Sequence, residues 1–130
     1  MESDKKIIID TNFLLIPANF KVDIFSELER ICFFKYKLYI VDRTLKELQN
    51  IIKLQKGADK DAAKLALLLI KSKGLKIIST EEQKSVDDLI VELSDENTIV
   101  ATQDIGLKRR LKAKGIKIIT LKSKKKLIFS

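Results

Sequence analysis

Four acidic residues recur at matching places along this 130-residue chain. Asp10 directly follows the apolar run Ile7-Ile8-Ile9, Glu47 lies one turn into the helical segment after residues 38–41, Asp87 stands at a helix start, and Asp104 follows residues 98–101. Each acid also has an ordinary structural use. Asp10 and Asn12 can turn the chain by hydrogen-bonding their own backbone. Thr44 and Glu47 have the spacing of a capping box. Ser85 and Asp88 form a similar pair, Asp87 in a first turn suits the helix dipole, and Asp104 is an ordinary N-cap. Capping does not explain why the acids fall at the carboxyl end of one strand pattern after another. In a parallel sheet those ends share one edge, and the binding crevice lies beyond it.

The rest of the composition narrows the chemistry. The chain has no histidine and one cysteine, Cys32. That excludes a Ser/His/Asp triad, a Cys/His dyad, an imidazole base, an internal disulfide and a Cys/His zinc site. Cys32 sits in the apolar run Ile31-Cys32-Phe33-Phe34 and reads as a buried structural thiol. Oxygen chemistry remains. Carboxylates that converge without a cation repel and raise one another's pKa. A divalent ion removes that conflict. Oxygen-only donors suit Mg²⁺ or Mn²⁺, which partner phosphate substrates and polarise a phosphoryl oxygen for in-line displacement.

Such acids need a scaffold that delivers them to one edge. Ile7-Ile8-Ile9, β-branched and without polar alternation, predicts a strand buried on both faces. Val22, Phe25, Leu28 and Cys32 recur at helical spacing after a loop containing Pro17 and Asn19. Residues 38–41 predict a second strand, and a helix from Asp42 carries Leu45, Leu48, Ile51 and Ile52 on one face. A further helix over 58–73 ends at Gly74, a good C-cap residue. A third strand at 75–79, a helix from Ser85, a fourth strand at 98–101, a helix from Asp104 to about Lys114 and a fifth strand at 116–121 complete the pattern. This alternation predicts a three-layer α/β/α sandwich around a five-stranded parallel sheet. One domain over 1–121 is expected, with 122–130 as a basic C-terminal tail.

The ordered set Asp10-Thr11-Asn12, Glu47, Asp87 and Thr102-Gln103-Asp104 resembles the PIN domain, a family of metal-dependent ribonucleases, from Ile7 to about Leu121. Asp10-Thr11-Asn12-Phe13-Leu14, followed by Pro17 and Asp23-Ile24-Phe25, is more similar to the archaeal group related to ribosomal-RNA-processing nucleases than to toxin members. Val100-Ala101-Thr102-Gln103-Asp104 fits that group too. The resemblance implies sheet order 3-2-1-4-5, with a switch point between the first and fourth strands. It implies that Asp10, Glu47, Asp87 and Asp104 are the catalytic acids and the metal ligands, with Asn12 and Thr102 as supporting polar residues. Gln103 departs from the asparagine or basic residue common at its position. Asp88 beside Asp87 offers two neighbours for one role, and Asp87 matches the pattern, three residues before Ile90.

A formal charge of +8 suits a polyanionic partner. Lys108, Arg109, Arg110, Lys112 and Lys114 surround the helix that begins at Asp104, and 122–126 is a basic run. From these, Lys108, Arg109, Lys112, Lys124 and Lys125 are expected to contact an RNA backbone, against the blander reading of a solvated helix face and a soluble end. Phe33, Phe34, Tyr36 and Tyr39 are expected in the core first and as base-stacking groups second. Residues 1–6 are charged and unlike a signal peptide, and no apolar run approaches the roughly 18 residues that span a bilayer. A cytoplasmic protein with no membrane partner is expected. The leading reading is a Mg²⁺- or Mn²⁺-dependent endoribonuclease acting on RNA, in ribosomal RNA processing by resemblance. The alternatives are a ribonuclease toxin with an antitoxin partner, and a noncatalytic RNA-binding or assembly module. A phosphorylated receiver-like domain fits poorly, because Asp10 is followed by Thr11 and Asn12 rather than by a second acid. The resemblance also implies a homodimer, without marking its interface.

Overall fold

A computed structural model describes residues 4–80 and 83–130; residues 1–3 of the charged N-terminal segment lie outside them. Strand β1 (Lys5–Ile9) buries all three of its isoleucines. A 3-10 turn (Thr11–Leu15) and a short helix α1 (Ile16–Phe20) follow, where the sequence predicts a loop. Pro17 sits in the first turn of α1, where a missing N–H is tolerated. Burial of Phe13, Leu14 and Ile16 holds the segment against the sheet. The remaining elements are α2 (Ile24–Ile31), β2 (Tyr36–Val41), α3 (Asp42–Leu54), α4 (Ala58–Ser72), β3 (Lys76–Ile78), α5 (Val86–Leu93), β4 (Thr98–Ala101), α6 (Ile105–Ala113), β5 (Lys117–Lys122) and β6 (Lys126–Phe129).

The sheet order is β3-β2-β1-β4-β5-β6, with the first five positions parallel and β6 antiparallel to β5. The sixth strand corrects the expected five-stranded sheet, and 122–130 closes a hairpin instead of trailing as a tail. Ser123 and Lys124 take φ of 55° and 56°, and Lys125 N–H donates to the Lys122 carbonyl at 3.1 Å. Two successive left-handed residues make the primed turn that matches strand twist. Leu127 is fully buried and anchors β6. The outer edge of β6 is covered by α2. Leu127 N–H donates to Glu27 Oε1 and the Leu127 carbonyl accepts from Arg30 Nη2, each at 3.0 Å, so side chains occupy backbone groups that another strand would seek.

Alternation along the strands splits the core into two layers. Ile7, Ile9, Ile40, Ile99 and Ile119 pack with Phe13, Leu28, Leu48 and Ala63 on the α1–α4 side. Ile8, Val41, Val100 and Ile118 pack with Leu89, Ile90, Leu107 and Leu111 under α5 and α6. Burial on both faces fixes the register, because a one-residue slip would exchange the two sets and carry Asp10 away from the strand end. From β1 the sheet grows toward β2, and from β4 toward β5, so the chain departs in opposite directions at adjacent strands. The crevice opens there, at their carboxyl ends. Among the described residues no helix is long and apolar enough to cross a membrane.

Candidate active site

Asp10 extends the β1–β4 ladder, its N–H donating to the Ala101 carbonyl at 3.0 Å, so the backbone fixes where its side chain emerges. The residue is only 4% exposed. Its Oδ1 accepts from Thr11 N–H at 2.9 Å and its Oδ2 from the Thr102 hydroxyl at 2.8 Å. Thr102 is itself fully buried, and its Oγ1 accepts from Asp104 N–H at 3.1 Å, tying the two strand-end acids together. Burial pushes the Asp10 carboxyl up to about 6. The Thr102 hydroxyl opposes that rise, Asp87 adds to it, the Thr11 amide opposes it and Glu47 adds to it.

A cavity of about 460 Å³ beyond this edge is lined by Asp10, Thr11, Asn12, Glu47, Asn50, Ser85, Asp87 and Asp104, among others. The structure therefore brings the four sequence-predicted acids to one place. Glu47 has no capping duty: the N-cap of α3 is Val41, which makes no side-chain cap bond, and Thr44 already lies inside the helix. Its Oε1 is instead 2.5 Å from the Thr11 hydroxyl oxygen. The first-turn acid of α3 is Asp42, whose carboxylate accepts from the Thr80 N–H and hydroxyl at 2.8 and 2.6 Å.

Ser85 does cap α5, accepting from Asp88 N–H at 3.1 Å. The two neighbouring acids then part. Asp87 lines the cavity, and its pKa is raised by burial first, then by Asp104 and Glu47. Asp88 pairs with Arg110 at 2.8 Å and is held low by that guanidinium. Asp104 serves two ends at once: Oδ1 caps α6 by accepting from Leu107 N–H at 2.7 Å, while the side chain lines the cavity.

Thr11 and Gln103 appear in the sequence motifs without a role of their own, and the structure gives each one. Thr11 is 4% exposed and reaches Glu47 across 36 positions of sequence. Gln103 Oε1 accepts from Leu121 N–H at 2.6 Å and from the Thr120 hydroxyl, so it bridges β5 to the start of α6. An asparagine is one methylene too short for the same reach, and that unusual residue type was the available signal. Asn12 lines the cavity with an exposed side chain.

Of the predicted RNA-contacting cations, Lys108 is engaged with the scaffold. Its Nζ donates to the Thr120 hydroxyl at 2.7 Å, and burial, then Lys112, lowers its pKa. Arg109 and Lys112 are exposed on α6. Lys124 and Lys125 lie in the hairpin turn at the carboxyl end of β5, the edge that carries the acids, with Lys124 Nζ 5.9 Å from the Phe20 ring. Cys32 is buried and its thiol is pushed up to about 11 by burial, which makes it unreactive. Phe33 is 94% exposed, against the expectation of core packing, because the loop between α2 and β2 carries it off the sheet.

The donor set suits a hard divalent cation in kind: carboxylate oxygens, with Asp10 and Asp87 raised by burial first and then by the neighbouring acids. Among the described residues, no group of three or more acids is already arranged to hold an ion. Glu47 Oε2 and Asp104 Oδ2 take no part in the hydrogen bonds above, so each of these two acids has an oxygen to offer.

An α/β/α domain that opens a cavity lined by four acids at its β1/β4 switch point is built like a nuclease of the PIN kind. The chain belongs to the PIN like domain family, whose model matches residues 7–124. It is 33% identical over 124 residues to "Ribonuclease VapC4" of Methanocaldococcus jannaschii, covering 92% of each chain. It is 28% identical over 121 residues to "Ribonuclease VapC9" of Archaeoglobus fulgidus, covering 92% of this chain and 84% of that one. Among solved structures, the PIN domain endonuclease Utp24 superposes with a TM-score of 0.77 and 26% identity over 96% of this chain and 90% of that one. A domain of a functionally unknown M. jannaschii protein shares the fold, with a TM-score of 0.60 and 18% identity over 92% of each chain.

Proposed function

We propose that this chain is a Mg²⁺- or Mn²⁺-dependent endoribonuclease in which Asp10, Glu47, Asp87 and Asp104 are both the catalytic acids and the metal ligands. The observation that carries the reading is Asp10, a carboxyl buried at the switch point, raised to about 6 and facing a cavity shared with three further acids. Burial of the carboxylate, with the neighbouring acids adding to it, costs stability in the bare protein, and a bound cation offsets it. When bound, the ion supplies polarisation of the scissile phosphate and a water acidic enough to attack at neutral pH. The chain's own work is placement. Thr102 and the Thr11 amide fix Asp10, Thr11 fixes Glu47, and the α6 cap leaves Asp104 Oδ2 for the ligand.

Likeness to two ribonucleases supports RNA as the substrate class, and likeness to the Utp24 endonuclease supports internal cleavage. Ribosomal RNA processing is the context favoured by the Asp10–Leu14 and Val100–Asp104 patterns, which resemble an archaeal group. The second context is a toxin restrained by an antitoxin; growth arrest on expression, relieved by a co-expressed neighbouring reading frame, separates the two. The test of activity is incubation of purified protein with end-labelled RNA. Internal cleavage in Mn²⁺, abolished by EDTA and restored by excess metal, is expected. Tight RNA binding without cleavage in any divalent metal would leave the noncatalytic module standing instead.

Binding is expected to be separable from cleavage. Arg109 and Lys112 on α6, and Lys124 and Lys125 in the hairpin turn, have exposed side chains. Each phosphate contact they make releases counterions. Replacing all of these with glutamine should therefore lower the slope of log K against log salt by about 0.7 per lost contact on a single strand. Turnover at saturating RNA should fall far less than affinity. Lys108 is left out, since removing it also disturbs Thr120 and Gln103. A slope unchanged by these substitutions, read with a fluorescent RNA at several salt concentrations, would move the RNA path to another face.

A further inference from the structure

Thr44 occupies the first turn of α3 as a fully buried residue, at a place where a helix facing a core ordinarily carries an apolar side chain. Its Oγ1 lies 3.0 Å from the Thr11 Oγ1, and that same Thr11 oxygen lies 2.5 Å from Glu47 Oε1. A hydroxyl has one proton to give, and an ionised carboxylate can only accept. The Thr11 proton therefore goes to Glu47, and the contact with Thr44 is made by the Thr44 proton pointing at Thr11. The chain of donation runs Thr44 to Thr11 to Glu47, along a buried path from α3 to the 3-10 turn and back to α3.

We infer that Thr44 is a positioning residue for Glu47, acting through Thr11. By occupying a lone pair of Thr11, the Thr44 hydroxyl leaves the Thr11 proton one favourable direction and polarises the bond it donates. Glu47, which lines the cavity, is thereby held by Oε1 on the scaffold, leaving Oε2 outside that bond. Glu47 is exposed as a residue, so this buried pair is what restrains a long side chain otherwise free to swing in solvent. Thr44 reaches Glu47 only through Thr11, so its effect belongs among outer partners of metal ligands, whose loss costs about 10–100-fold in affinity.

The inference rests on Glu47 being a metal ligand, and the experiment separates the two. Mn²⁺ affinity is measured calorimetrically without RNA for the parent, Thr44→Val, Thr44→Ser, Thr11→Val and the Thr11→Val/Thr44→Val double variant. Circular dichroism in EDTA reports that each is folded, and Thr44→Ala replaces Thr44→Val should valine disturb the fold. The expected result is a loss of about tenfold for Thr44→Val, parental affinity for Thr44→Ser, and a double variant no weaker than Thr11→Val alone. Non-additivity of that kind marks a shared path. A Thr44→Val protein that binds Mn²⁺ like the parent, or a loss that persists undiminished in the Thr11→Val background, overturns the role of Thr44 and leaves Glu47 untouched. A folded parent that binds no Mn²⁺ overturns the metal-site reading and this inference with it.

Discussion

Asp10→Asn should abolish RNA cleavage while leaving a folded protein whose metal-free stability, relative to the parent, improves as pH rises. The carboxyl is raised from 3.8 to about 6 in the folded chain. A raised acid favours the fold below its unfolded pKa, and that contribution is lost as pH rises through the folded value. Between about pH 4 and pH 6 the parent therefore loses on the order of 3 kcal/mol from this group, and above pH 6 the full cost is present. Asparagine carries no such titration. It does place an NH₂ group where Asp10 now accepts from both Thr11 N–H and the Thr102 hydroxyl, which returns about 1 kcal/mol as a lost hydrogen bond. The pH-dependent difference is the robust signature. Thermal melts of both proteins in EDTA from pH 4 to pH 8 should diverge through that window, whereas parallel curves would mean that Asp10 is not strained. Cleavage by a verified Asp10→Asn protein at the parental rate would remove Asp10 from the catalytic set.

Glu47→Gln should lower cleavage by more than the roughly 100-fold that losing an outer partner of a metal ligand can cost, because Glu47 is itself placed as a ligand, with little change in melting temperature. Sequence spacing had offered a rival explanation, since a glutamine can close a capping box as well as a glutamate. The structure removes that rival: α3 starts at Asp42 with Val41 as its cap, so Glu47 serves no helix end. In the Glu47→Gln protein the new amide oxygen can still accept from Thr11. A variant that melts like the parent but fails to cleave isolates the charge of Glu47 as the missing element. Full activity of the Glu47→Gln protein would show that this position needs only a hydrogen-bond acceptor.

The parallel part of the fold was legible because burial on two faces writes itself as unbroken apolar runs, as in Ile7-Ile8-Ile9, and because Gly74 and Gly115 punctuate helix ends at φ of 63° and 80°. The sixth strand was not legible. Its turn uses Ser123 and Lys124 in the left-handed region instead of an Asn-Gly pair, and the run of lysines around it reads as solvated chain. The short helix α1 was hidden for a similar reason, because Pro17 reads as a breaker until it is placed in a first turn. At the site, the four acids were visible as strand-end and helix-start residues. Their support was not. The Thr11–Glu47 contact joins residues 36 apart, and local spacing carries no trace of a bond made by tertiary packing. Asp87 and Asp88 are adjacent candidates in sequence, where the spacing to Ile90 favours Asp87; the pairing of Asp88 with Arg110 across α5 and α6 is a tertiary contact that spacing does not carry.

The central claim is that Asp10, Glu47, Asp87 and Asp104 together hold the divalent metal, and the measurement that meets it most directly is anomalous diffraction from a crystal soaked in Mn²⁺. The account predicts a peak inside the cavity at the carboxyl ends of β1 and β4, with carboxylate oxygens of these acids turned onto it, and its disappearance from an Asp10→Asn crystal soaked in the same way. A cavity without a peak at a Mn²⁺ concentration that supports cleavage, or a peak held by other residues while these acids stay as they are, would contradict it.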